Sequence, residues 1–171
     1  MKNFGLGIFF IAFCFNLFAQ EYNRLIVDPK TQKEILIGYC TKEGLLESEF
    51  NKHFDANYEK YQFVPETIEA LNIVLEGVKI IVVMGVWCKD SQREIPRFIK
   101  IIDHLIYPQE EINWICVDSK MNAEDVPIEE YKIEKVPTFI FMKDDIELGR
   151  IVEKPKESLE KDILDLIKSD K

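Results

Sequence analysis

Cysteine is scarce in this chain: Cys14, Cys40, Cys88 and Cys116 are the only four among 171 residues. A disulfide-stapled scaffold would carry several paired cysteines, so that class is excluded. Histidine is scarcer still. His53 and His104 stand alone, without metal-ligand spacing to Cys88, so no metal or cofactor is expected. The seven glycines form no phosphate-cradling loop. Positive charge is in the minority, 22 Lys and Arg against 31 Asp and Glu, for a net charge of −9. A surface of that sign repels nucleic acid and anionic lipid, and neither is an expected partner. Internal repeats, low-complexity tracts and a linker to a second folded unit are missing as well.

One long apolar run is present. Lys2 is the only charge before Glu21, and residues Phe4 to Phe18 are almost wholly apolar. The run of ~15 residues falls short of the ~20 that span a bilayer. Residues 1–19 therefore read as a secretory signal peptide cleaved after Ala19, with an uncleaved anchor as the alternative. Lipidation at Cys14 is disfavoured, because Phe13 stands where a small residue is expected. The expected location is exported, periplasmic or secreted, with the membrane met only through the signal peptide. Cys40, Cys88 and Cys116 then remain, an odd number, so at least one thiol is free or pairs with another molecule.

The remaining chain has the length of one domain and can bury a core without staples. Arg24 to Val27 and Glu34 to Tyr39 read as short strands around the turn Asp28-Pro29-Lys30-Thr31-Gln32. Thr41 to Tyr58 reads as one helix with Thr41 as N-cap, and Phe50, Phe54 and Tyr58 form an aromatic packing stripe. A helix is expected over Pro65 to Glu76, ended by Gly77. Ile80 to Val86 is a continuous β-branched run, suited to a strand buried on both faces. A helix from Ser91 to Leu105 with Pro96 inside, and a strand from Ile112 to Asp118, follow. Pro127 to Tyr131 reads as a short helix, Thr138 to Met142 and Ile146 to Val152 as a hairpin, and Ser158 to Ile167 as a closing helix. Such alternation implies an α/β fold, a sheet covered by helices.

The chemistry concentrates at Val86-Trp87-Cys88-Lys89-Asp90-Ser91, between the buried strand and the helix. A helix N-terminus offers unpaired N–H groups and a positive dipole end, which favour thiolate over thiol. Lys89 and Arg93 add positive potential there, while Asp90 and Glu94 oppose it.

These residues resemble the thioredoxin family. Trp87-Cys88-Lys89-Asp90-Ser91 is similar to the W-C-x-x-C active-site motif, with serine at the second cysteine. Pro96 falls eight residues after Cys88, where the family carries a helix proline. Lys135-Val136-Pro137-Thr138-Phe139 resembles its V-P-T segment, and Phe141 to Val152 the strand, turn and strand with glycine that follow. The resemblance covers residues 65–171. It implies a thioredoxin-like domain there, a central mixed sheet flanked by helices, with residues 20–64 as a strand and helix extension. That extension resembles the one in exported bacterial thioredoxin-like proteins.

The resemblance also implies roles. Cys88 is the expected nucleophile. Trp87, Val136, Pro137 and Thr138 are the expected substrate-binding residues, with a cis proline at 137 presenting the Val136 backbone to a peptide. Ser91 cannot resolve a mixed disulfide but can hydrogen-bond the Cys88 sulfur. Val82 stands where the family keeps a buried acid that serves the resolving cysteine, so both changes agree on a monothiol site. Cys40, at a helix start and expected to be accessible, is the candidate resolving thiol. Cys116 is expected to be a buried apolar residue. The expected activity is thiol–disulfide exchange with protein or small-molecule thiols and disulfides. The alternative is a redox-inactive module that binds peptides through Trp87, Val136 and Pro137.

Overall fold

The structure, a computed structural model, describes residues 21–169. The expected signal peptide and Cys14 lie outside the described residues. Six strands form one sheet: β1 (Arg24–Val27), β2 (Glu34–Cys40), β3 (Lys79–Met84), β4 (Ile112–Cys116), β5 (Thr138–Lys143) and β6 (Ile146–Val152). Their spatial order is β1-β2-β4-β3-β5-β6. Only the β3–β4 pair is parallel, which makes the sheet mixed. The helices are α1 (Lys42–Glu47), α2 (Phe54–Lys60), α3 (Pro65–Val74), α4 (Lys89–Asp103) and α5 (Leu159–Lys168).

Side chains alternate across a strand, so each strand feeds two cores. Ile80, Val82 and Met84 of β3 point into the larger core with Trp114, Phe139 and Phe141. The α-helices pack on this face through Leu45, Phe54, Leu71, Phe98 and Ile163. Ile81 and Val83 point the other way, toward Ile115 and Ile140. That face is covered by the segment between β4 and β5, through Ala123, Val126, Ile128 and Val136. In this segment the expected short helix is a single 3-10 turn, Ile128–Tyr131. The run Ile80–Met84 is buried throughout, as its unbroken apolar character requires.

One expected helix is in pieces. Thr41 caps α1 by accepting the Gly44 N–H at 3.1 Å. The helix then stops at Ser48, whose backbone is extended and whose Oγ accepts the Phe50 N–H at 3.2 Å. A serine that offers its own acceptor competes with the helical ladder. A 3-10 turn, Glu49–His53, follows before α2 begins. The aromatic stripe survives the break: Phe50 and Phe54 are buried, and Phe54 stacks on Tyr58 with ring centroids 5.3 Å apart. Beyond α3, Gly77 takes the φ of +71° that the turn into β3 needs.

Residues 21–64 share the sheet and the core of the rest. β2 pairs with β4, and α2 packs against α4. Asp28, fully buried, accepts the N–H groups of Lys30 and Thr31 within its own turn and that of Ser119 at 2.8 Å. The turn between β1 and β2 is thereby fastened to the chain leaving β4.

Candidate active site

The turn from β3 to α4 is built by hydrogen bonds that close on themselves. The Cys88 N–H donates to the Gly85 carbonyl at 2.9 Å, and the Gln92 N–H to the Cys88 carbonyl at 2.9 Å. Gln92 Nε2 donates to the Val86 carbonyl at 2.9 Å. Cys88 is itself the N-cap of α4, so the helix opens at Lys89, two residues before the expected start. No side chain caps this end. The first-turn N–H groups therefore lack side-chain acceptors, and Cys88 stands at the positive end of the helix dipole.

Cys88 is half-buried, and its S–H donates to the Val136 carbonyl at 3.2 Å. The Val136–Pro137 peptide is cis. Both the cis proline and its position facing Cys88 match the expectation. Trp87 is held by its indole N–H, which donates to the Val117 carbonyl at 2.9 Å. A Cβ on Gly85 would lie 2.7 Å from the indole ring, so only glycine admits this position of Trp87.

Three expectations at the site need correction. Ser91 is fully buried, and its Oγ accepts the Gly85 N–H at 3.3 Å. It braces the turn and has no hydrogen bond to Cys88 among those of the described residues. Thr138, expected to meet substrate, is 1% exposed and donates to the Lys135 carbonyl at 2.7 Å. It shapes the loop behind Val136. Cys40, expected to be accessible, is 2% exposed. As the last residue of β2 it turns into the larger core, where its sulfur lies 3.0 Å from that of Cys116. The hydrogen bond with Cys40 and complete burial push the Cys116 thiol well above the ordinary range. The structure thus gives Cys40 a neighbour other than Cys88.

The charges around the thiol are largely spent on one another. Arg93 pairs with Asp90 at 2.6 Å and with Glu94 at 2.5 Å. Glu94 is buried and also meets Arg97 at 3.2 Å. Val82 is fully buried, paired with Trp114 on one side and Phe139 on the other. An acid there would be placed among apolar groups, at a cost unless neutralised.

A groove missed by sequence reading runs beside Trp87. It holds about 640 Å³ and is lined by Lys33, Ile35, Lys52 and His53 from one side and by Trp87 and Gln92 from the other. Nothing in the local pattern of residues 31–53 signals it, because it exists only once the extension docks. A more apolar hollow of about 500 Å³ lies around Val78 and Tyr107, and no cysteine lines it.

The family model described as thioredoxin matches residues 45–165. The chain belongs to the thioredoxin family. The match begins inside α1, so part of the expected extension falls within it. Among solved structures, a protein of unknown function from Pseudomonas aeruginosa aligns with a TM-score of 0.54 at 17% identity, over 71% of this chain and 86% of that one. Fasciola hepatica thioredoxin aligns with a TM-score of 0.39 at 20% identity, over 60% and 89%. A reduced Schistosoma mansoni thioredoxin pre-protein gives 0.38 at 23%, over 58% and 88%. No curated protein matches the chain. Thioredoxin-family membership supports a role of the thiol–disulfide exchange type with protein thiols or disulfides as substrates.

Proposed function

We propose that this thioredoxin-family protein is an exported monothiol exchange protein. The Cys88 thiolate attacks one sulfur of a substrate disulfide. The substrate S–S bond breaks, its second sulfur leaves as a thiolate, and a mixed disulfide to Cys88 remains. A second thiol, from the substrate or from a small molecule, then attacks that mixed disulfide and regenerates Cys88. The observation that carries this reading is the half-buried Cys88 sulfur at the N-cap of α4, 3.2 Å from the Val136 carbonyl, with buried Ser91 where a resolving thiol would stand. The placement outside the cytoplasm rests on the apolar run at residues 4–18.

Trapping by mass spectrometry tests it. Incubated with oxidised glutathione, the wild type should gain one glutathione on the Cys88 peptide, and Cys88→Ser should gain none there. Ser91→Cys should shorten the life of that adduct at least about tenfold, because a neighbouring thiol can then displace it. Catalysis of disulfide exchange in a scrambled, fully oxidised protein substrate that persists undiminished in Cys88→Ser would sink the proposal. The groove beside Trp87 favours a second reading, a peptide-docking module in which Cys88 is incidental. Partner binding that is unchanged in Cys88→Ser, with no adduct on the wild type, would select it.

A further inference from the structure

We propose that Cys40 and Cys116 form a buried disulfide that locks the N-terminal hairpin to the central sheet. In the antiparallel pair, Gly38 lies opposite Cys116 and Cys40 opposite Trp114. The two cysteines are therefore diagonal neighbours on adjacent strands, and the period of two sends both side chains to the same face. Their sulfurs are 3.0 Å apart. A bond at ~2.05 Å requires an approach of about 1 Å. Both residues are at most 2% exposed, among apolar side chains of the larger core.

Burial sets when the bond forms. In the folded chain the two thiols are out of reach of solvent, and the raised Cys116 thiol stays protonated and unreactive. Oxidation therefore belongs to the stage at which β2 is still docking on β4. The oxidant is a low-molecular-weight or protein disulfide. One cysteine thiolate attacks it and releases one thiol, and the other cysteine then displaces the second. Two S–H bonds and one oxidant S–S bond are lost, one protein S–S bond forms, and two electrons and two protons pass to the oxidant as two thiols.

The cross-link spans 76 positions of chain. It ties a strand that precedes the family match at residue 45 to one inside it. It leaves Cys88 the one free thiol among the described residues. The inference stands on the β2–β4 geometry and does not depend on the activity of Cys88.

The full chain should be refolded with oxidised glutathione, unfolded in N-ethylmaleimide without reductant, and mapped by peptide mass spectrometry. The expected result is a linked Cys40–Cys116 peptide pair, with neither cysteine alkylated until reduction. Reduction should lower the melting temperature by roughly 5–15 °C, since a long loop is released in the unfolded chain. In Cys116→Ala the Cys40 peptide should become alkylated and the melting temperature should stop responding to reductant. Alkylation of both Cys40 and Cys116 in the refolded wild type overturns the proposal, as does a peptide linking Cys40 to Cys88. The wild-type map decides even if the variant does not fold.

Discussion

Asp28 is a single residue on which two parts of the chain depend. Burial opposes its charge, yet the N–H groups of Thr31 and Ser119 more than compensate and hold the carboxyl well below the usual carboxylate range. The sign follows from linkage. A depressed folded-state value contributes stability that is complete above the unfolded value of ~3.9 and is lost as pH falls toward the folded one. Asp28→Asn should therefore destabilise the protein by about 1–3 kcal/mol at pH 7. The gap to wild type should narrow as pH falls below ~4. Denaturant titrations at pH 7, 5 and 3 check this, and a gap that stays constant to pH 3 contradicts it. Ser119 also stands two residues beyond Val117, the acceptor of the Trp87 indole, so the same carboxylate steadies the wall of the candidate site.

Among elements, α2 and α5 meet through one phenol. Tyr61, just beyond α2, donates to the buried Glu160 at 2.5 Å and accepts the Leu159 N–H at 3.2 Å. Burial and the Glu160 carboxylate push the Tyr61 phenol well above its ordinary range, so it remains a donor at any working pH. Tyr61→Phe leaves Glu160 and the start of α5 without these partners. A loss of about 1–3 kcal/mol is expected, read as a lower denaturation midpoint with an unchanged slope. Glu160→Gln keeps an acceptor for Tyr61 and should lose less. Equal losses from the two variants would mean that the Tyr61–Glu160 bond is not what couples these elements. The break at Ser48 belongs to the same scale. Helical spacing of Phe50, Phe54 and Tyr58 is compatible with one long helix, and it was the local competition of a serine hydroxyl that divided it.

For the molecule as a whole, residues 21–63 are part of one cooperative unit with the rest of the described chain. Without β2, the edge of β4 would present unpaired backbone groups, and the larger core would lose Leu36, Cys40, Leu45, Phe50 and Phe54. A chain beginning at Val64 should therefore be insoluble or lack a cooperative melting transition, measured by calorimetry. A soluble truncated chain melting within a few degrees of the full one would show instead that the extension is an independent appendage.

How much of this was legible beforehand depends on the distance over which each feature is encoded. The strand at Ile80–Met84 announces itself because β-branched residues in an unbroken run suit a strand covered on both faces. Trp87-Cys88 before a helix, and Val136-Pro137 before a strand, are local signals whose placement opposite each other the family resemblance anticipated. By itself, then, the sequence determined the strands, the central strand among them, the thiol where that strand gives way to a helix, and the absence of a second thiol at position 91, since all of these rest on neighbours within a few residues. Only the tertiary structure decided that Ser91 braces Gly85, that Thr138 faces inward, that the extension walls a groove beside Trp87, and that Cys40 meets Cys116. Those outcomes depend on strand register and helix docking, which decide which side chains are buried and which distant ones meet, and they leave no periodic trace in the chain.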